Sequence, residues 1–277
     1  MKKIIIVILI ILTLIGCSKN DELNKINNFE DKGITFSLPN NYYLDSENIT
    51  IIHFENEKLE VIGTIQYKDF DDAEVFNSFF KMFTVEFKKE YLEDIDAYKG
   101  IDTIRSNRYE SYSFYNKEKL NFFEIDFIDQ NDGLINSIIK TVNNNVEIKN
   151  NDKETINYTF SNKWNKYDFN SFEMSLPNNV YISNQIDNQI DLYVKNSNDF
   201  IRVAILYLDE FTNNEFDHYK DVSPSGSRIK LTDNVYKDEA HYSLINYDMK
   251  TISTICFIVD IDSDFENKFV DAIKFKK

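Results

Sequence analysis

The 277-residue chain is poor in the residues from which most recognisable active sites are built. Its two cysteines, Cys17 and Cys256, exclude a disulfide-stapled scaffold and a CxxC redox site. The three histidines, His53, His218 and His241, stand far apart in sequence. Neither HExxH nor a cysteine pair occurs, which removes zinc sites of ordinary local spacing, and each histidine reads as structural or surface. Six glycines leave no room for a phosphate-cradling loop, and GxGxxG, GxxxxGK and GxSxG are all absent. Basic residues number 31 against 47 acidic ones, a formal charge of −16 that disfavours nucleic acid and anionic head groups as partners. The absent motifs do not exclude an enzyme whose site assembles from distant positions, but no constellation in the sequence argues for one.

What is present begins at the N-terminus. Lys2 and Lys3 precede an apolar run from Ile4 to Ile15, and Gly16 and Cys17 follow. This is the layout of a secretory signal. The ending Leu14-Ile15-Gly16-Cys17 resembles the bacterial lipobox, in which the cysteine receives a diacylglyceryl group and becomes the new N-terminus. The resemblance implies that residues 1–16 are removed and that Cys17 is the site of lipidation. The run is shorter than the about 20 apolar residues of a spanning helix, whereas two acyl chains hold a protein stably at a membrane. The expected location is therefore the cell envelope, extracytoplasmic and lipid-anchored. Removal of residues 1–16 takes away two lysines and no acid, so the charge moves to −18 and the lipid, not the protein surface, makes the membrane contact.

The remaining chain repeats itself. Ser37-Leu38-Pro39-Asn40-Asn41 recurs as Ser175-Leu176-Pro177-Asn178-Asn179. Ile65 to Asp69 lines up with Ile205 to Asp209, and Asn136 to Lys140 with Val270 to Lys274, all at similar displacement and in the same order. The reading is a tether over 17–28, one repeat over 29–145, a linker over 146–165 in an Asn/Lys/Asp-rich stretch, and a second repeat over 166–277.

Within the first repeat, Phe36 and Leu38 alternate with polar neighbours up to Pro39, as on a half-buried strand. Ile49–Phe54 and Leu59–Tyr67 predict a hairpin about Asn56-Glu57-Lys58. From Asp71 to Lys89 the period becomes helical, with Phe76, Phe79, Phe80, Phe83 and Phe87 on one stripe that reads as core. Strand periods return over 108–115 and 120–128, and a short helix over 133–142 closes the unit. The second repeat keeps this order with a shorter central helix near 213–221. The expected class is α+β, each repeat a mostly antiparallel sheet packed against helices. The F-S-hydrophobic-P-N-N opening followed by hairpin, helix, meander and closing helix resembles the PsbP-like family. That family includes the extrinsic oxygen-evolving subunit of photosystems and many bacterial lipoproteins, and it implies a sandwich used for binding or assembly, not catalysis. Where bacterial members often have tryptophan soon after the proline, this chain has Tyr42-Tyr43 and Val180-Tyr181.

Three local features complete the reading. Asp260, Asp262 and Asp264 have the spacing of a calcium loop, but Phe265 stands where such loops need glycine, so an acidic turn capping the last helix is the preferred reading and metal the alternative. Cys256 reads as a buried small hydrophobe. Seventeen tyrosines suit either a binding surface or ordinary strands, and the sequence leaves both open. Together these features predict a non-catalytic, membrane-anchored binding or assembly module with no cofactor, touching the membrane through Cys17, engaging an envelope protein, and carrying its ligand site in a cleft between the repeats. An envelope enzyme with a dispersed site and a solute-binding receptor are the alternatives.

Overall fold

Alternating apolar residues over long stretches produce two seven-stranded antiparallel sheets in the computed structural model, which describes residues 24–26, 29–45, 49–104, 106–148, 158–195, 199–209, 213–220 and 228–277. The first sheet comprises β3 (Tyr42–Leu44), β4 (Thr50–Glu55), β5 (Lys58–Asp69), β6 (Glu90–Leu92), β7 (Ala97–Ile104), β8 (Asn107–Asn116) and β9 (Asn121–Ile128). Its order is β3-β4-β5-β9-β8-β7-β6. The second comprises β12 (Val180–Ile182), β13 (Gln189–Lys195), β14 (Phe200–Asp209), β15 (Ile229–Lys230), β16 (Val235–Asp238), β17 (His241–Asn246) and β18 (Thr251–Phe257). Its order, β12-β13-β14-β18-β17-β16-β15, is the same. Two small sheets add β1 (Asn24–Ile26) to β2 (Phe36–Leu38), and β10 (Trp164–Asp168) and β19 (Lys274–Phe275) to β11 (Phe172–Pro177). Strand β1 thus lies in the stretch read as a tether, and β10 overlaps the stretch read as a linker.

Among the described residues there are four short α-helices: α1 (Ala73–Lys81), α2 (Asp132–Ile139), α3 (Asn213–Tyr219) and α4 (Ser263–Asp271). With 50% strand and 17% helix the molecule is mostly β: the expected antiparallel sheets are present, and the helical share is smaller than the α+β class implies. The helical stripe ends sooner than its period suggested. Helix α1 stops at Lys81, a π-helical turn covers Met82–Glu86, and Phe87 is 61% exposed while Phe76 is 1% exposed. The chain between 90 and 104 forms β6 and β7, which sequence periodicity did not reveal.

Each sheet is the middle layer of its unit. The inner face of the first packs Ile51, Ile65, Phe123, Ile125 and Phe127 against Phe36, Leu38 and the α2 residues Ile135 and Ile138. The second packs Leu192, Leu206, Ile255 and Phe257 against Phe172, Met174 and α4's Phe269. On the outer faces, α1 covers Phe122 through Phe76 and Phe79, and α3 covers Ile245 and Ile252 through Phe216. The rows Ile65–Ile125–Tyr112 and Leu206–Ile255–Tyr242 occupy the same place in the two sheets. Leu206, not Ile205, therefore answers to Ile65; a one-residue slip would have turned every side chain of that strand to the wrong face. The β7–β8 hairpin is also longer than β16–β17, so the displacement of the sequence matches is not held through the unit.

That longer hairpin reaches the second unit. Tyr109 of β8 joins Ile52, Leu59, Val61 and Ile128 of the first sheet against Tyr193 and Phe200 of the second, with Tyr43, Phe54 and Tyr181 at the margin. Ring centroids of Phe54 lie 5.0 Å from Phe200 and 5.1 Å from Tyr181. Asn184 acts as a strand mimic across this seam: its Oδ1 accepts from Val61 N at 2.7 Å and its Nδ2 donates to Val61 O at 3.3 Å. Those backbone groups lie beside an irregularity in the β4–β5 register between Ile51 and Ile52. The Tyr109 hydroxyl donates to Asp187 at 3.4 Å. Among the described residues no helix is long and apolar enough to cross a membrane.

Two predictions follow from packing and turn geometry. Phe200→Ala, which empties the centre of the seam, is expected to cost about 3–5 kcal/mol and to split a single calorimetric transition into two. The β4–β5 turn holds Asn56 and Glu57 at φ of 51° and 63°, a left-handed pair of the kind asparagine and glycine favour. Glu57→Gly is expected to raise stability by up to about 1 kcal/mol in urea melts, because relief of left-handed strain exceeds the extra entropy of the unfolded glycine.

Candidate functional site

Between α1 and the seam, the outer face of the first sheet is left to small and polar residues. Strand register places Thr64, Asp126, Ser111 and Gly100 in one row and Gln66, Glu124, Ser113 and Tyr98 in the next. Lys89, which follows the π-helical turn, runs across these rows. A Cβ at Gly100 would stand 2.6 Å from Ser111 Oγ and 3.3 Å from Lys89 Cε, so glycine keeps the path of the lysine stem open. The stem delivers its ammonium to Ser113 Oγ at 2.7 Å and to Glu124, and the Ser113 hydroxyl donates to Glu124. Only 7% of the Lys89 side chain and 5% of that of Glu124 meet solvent.

A buried ion pair of this kind adds little net stability, because desolvation offsets most of the attraction; what it fixes is position. Beside it, Asp126 accepts from Gln66 Nε2 at 3.3 Å. Burial, then the charge of Glu124, pushes the Asp126 carboxyl up to about 7, against the opposing pull of Lys89 and Gln66. Ser113 and Lys89 do not form a nucleophile and base, since the hydroxyl proton points to Glu124 and the lysine is paired. Within this cluster, the group placed to exchange a proton near neutral pH is Asp126. In the matching rows of the second sheet, Ile205–Cys256–His241–Asp238 and Tyr207–Thr254–Ser243–Tyr236, Cys256 and Thr254 stand at the places of Asp126 and Glu124, and the one carboxylate, Asp238, stands at the place of Gly100.

One row end opens into a cavity of about 390 Å³ walled by Phe80, Tyr91, Tyr98 and Tyr115 and rimmed by Asp96, Asn116, Lys117, Glu118, Asn144 and Asn145. The Tyr98 ring is 5.0 Å from Tyr91, 5.5 Å from Phe80 and 5.7 Å from Tyr115, so the four rings brace one another. The Tyr91 hydroxyl donates to Asp96 at 2.9 Å. Burial raises the pKa of Tyr98 and of Tyr115, and both stay neutral phenols. In the second unit Tyr236 occupies the place of Tyr98, and there the Arg228 guanidinium covers the ring at 3.8 Å.

The residues singled out from sequence are placed as follows. Cys17 and the segment read as a signal lie outside the described residues. Asp262 caps α4, its Oδ1 accepting from Phe265 N at 2.7 Å. Asp260, Asp262 and Asp264 line a cavity of about 500 Å³ with Trp164, Phe160 and Lys268. Among the described residues no group of three His, Cys, Asp or Glu side chains is placed to hold a metal ion. His53 stacks on Tyr42 at 4.5 Å between Glu55 and Glu60, while His218 and His241 are exposed. Cys256 is half-buried on the outer face, not in the core, and burial pushes its thiol up. A cleft between the units does exist, about 680 Å³, lined by Glu57, Lys58, Glu60, Tyr167, Tyr181 and Asn184. Its Tyr167 hydroxyl and Asn184 amide are already used in holding strands together.

Sequence reasoning missed one arrangement that both units share. Lys99 lies over Tyr112 at 5.3 Å and pairs with Glu110 at 3.2 Å; Lys237 lies over Tyr242 at 5.4 Å and pairs with Glu266 at 2.8 Å. Each tyrosine hydroxyl donates to the same carboxylate. The two glutamates come from different elements, β8 and α4, so no sequence spacing announces the pair. Because it recurs in both units it belongs to the fold, whereas the Lys89 cluster and the tyrosine-walled cavity are built, among the described residues, from the first unit. No family model, curated protein or solved structure matches the chain.

The position of Asp126 has a pH consequence. Its native pKa of about 7 exceeds the ordinary 3.8, so the native state retains a proton that the unfolded state releases. The stability this contributes is complete below about pH 4 and is lost as pH rises through about 7. Asp126→Asn is expected to reduce that fall and to melt higher than the parent at about pH 8. The difference between the two proteins isolates this group from Asp191 and Asp199, whose carboxyls burial also raises.

Proposed function

We propose that the chain is an extracytoplasmic lipoprotein, anchored through Cys17, whose body of two tandem PsbP-like repeats serves as a non-catalytic binding or assembly module. The reading joins the lipobox at the N-terminus to one observation in the body. Two units with the same strand order differ on the outer face: the second covers its tyrosine with its own arginine, and the first leaves the corresponding ring at an open cavity. A surface that one copy closes and the other keeps open suits recognition of a ligand or an envelope protein.

Location supports the same use. Strand β1 begins at Asn24, so the chain from Cys17 spans at most about 25 Å. The first unit is thereby held near the membrane surface, although its acidic charge favours no contact with anionic lipid. An envelope enzyme is the second reading, and the specific observation in its favour is Asp126, a carboxyl that titrates near neutrality beside an ion-paired glutamate.

Labelling cells with an alkyne analogue of palmitate tests the anchor. The intact chain is expected to take up label and Cys17→Ser to take up none; an unlabelled parent protein would overturn the anchoring. For the body, cross-linking of the intact lipoprotein on the native envelope is expected to give a recurrent partner or a glycan adduct that maps to the first unit. Adducts that map only to the second unit would remove the argument from the open face.

A further inference from the structure

The cavity of the first unit has a composition that specifies a ligand class. It combines aromatic faces with planar amides and carboxylates: Tyr91, Tyr98, Tyr115 and Phe80 beside Asn116, Asn144, Asn145, Asp96 and Glu118. Its volume of about 390 Å³ falls within the roughly 300–1,000 Å³ of small-ligand sites. A pyranose ring offers the complementary surface. One face of the ring is a patch of C–H groups that packs on an aromatic plane, and the rim carries hydroxyls that both donate and accept. Asparagine amides answer both needs, and the carboxylates accept. Tyr91 is half exposed and tilted 47° to Tyr98, so the pair offers a stepped platform.

Other small-ligand classes fit less well. A phosphorylated ligand would face Asp96 and Glu118 with Lys117 as the cation among the lining residues. A quaternary ammonium needs a box of rings standing apart. Here the rings pack against one another, Phe80 and Tyr115 at 4.8 Å, and the ammonium of Lys117 already lies 4.9 Å from the Phe80 centroid. A purely apolar ligand would make no use of the polar rim that Asn145 and Glu118 supply.

We propose that this cavity is a saccharide-binding site in which Tyr91 and Tyr98 form the stacking platform and Asn145, with Asp96, reads the hydroxyls. The inference rests on the binding reading above and narrows it to glycans, whether a strand of the cell wall or a soluble oligosaccharide. In the second unit, Arg228 occupies the ring face that a sugar would need, so a single site per chain is expected.

The test is calorimetric titration of the full-length lipoprotein in detergent with cellotriose, maltotriose and tri-N-acetylchitotriose. One of the three is expected to bind with a stoichiometry of one. Tyr98→Ala is expected to weaken that binding about tenfold or more, since an aromatic stacking contact is of this order, while Tyr98→Phe keeps most of it and Tyr236→Ala is silent. Asn145→Ala, an exposed side chain, is expected to weaken binding severalfold and keeps the test open if the alanine variant of Tyr98 does not fold. Preference for the N-acetylated trimer, with retention on purified cell-wall sacculi, identifies the wall as source; preference for the other two identifies a soluble glycan. Absence of heat with all three, or binding that survives both Tyr98→Ala and Asn145→Ala, overturns the site. If instead tetramethylammonium chloride binds and Tyr98→Ala abolishes it, the saccharide class is overturned while the binding reading stands. If cross-linking to the first unit also fails, both fall.

Discussion

The apolar seam between the two units is the contact on which the rest of the structure depends. A sheet that packs its inner face against a closing helix still has an outer face to cover, and helices α1 and α3 are too short to cover it. At the end away from α1, the first sheet presents Ile52, Leu59, Val61 and Ile128, and the second meets them with Tyr193 and Phe200. Burial of six such side chains contributes on the order of 10 kcal/mol before entropy is counted, enough to hold the units as one body. Asn184 completes the join by supplying Val61 with both halves of a backbone hydrogen-bond pair beside the irregularity in β4–β5.

The seam also determines where polarity can be tolerated. With aromatic rings under α1 at one end and the second unit at the other, the middle of the first outer face is neither fully buried nor freely hydrated. Glu124 in that position requires a cation, and Lys89 reaches it only because Gly100, Ser111 and Ser113 are small. In the second unit Thr254 and Cys256 hold the places of Glu124 and Asp126, and neither needs such a cation. The raised pKa of Asp126 is the remainder of this arrangement: one ammonium serves two carboxyls, and the less favourably placed of them holds its proton.

Much of this scaffold was legible in the sequence. Alternation at Phe36 and Leu38, the Asn56-Glu57 hairpin, the aspartate before α1 and the SLPNN match all correspond to elements that local physics decides: period, turn conformation and capping. Asp72 does cap α1, accepting from Glu74 N and Val75 N. What escaped were features decided by distant parts. Strands β6 and β7 carry no clean alternation, because Ile101 and Ile104 are exposed beyond the stretch of β7, Ala97 to Lys99, that β6 pairs. The aromatic period from Phe76 to Phe87 continues after the helix has ended, because the later rings lean on Phe122 and on one another. The site was beyond reach for the same reason. Lys89, Ser113, Glu124 and Asp126 come from a turn and two strands, and only strand register brings them into two adjoining rows.

The contrast between the units bears on why one chain carries the same architecture twice. A single sheet with one outer end uncovered would expose a contiguous apolar patch, which soluble proteins rarely tolerate. Two sheets of equal strand order can close that end for each other. Once the second unit supplies that cover, its own outer face is free of any further task, and it is filled from within by Arg228 over Tyr236 and by Phe216 over Ile245 and Ile252. The first unit, steadied from outside, can afford the opposite: a lysine drawn into the sheet face, a carboxyl that stays half-titrated, and four rings that brace one another around an open space. Openness in one half is therefore a consequence of closure in the other. A substitution that loosens the seam is accordingly felt at the Tyr98 cavity, because the extended β8 strand carries Tyr109 into the seam and Ser113 and Tyr115 to the site.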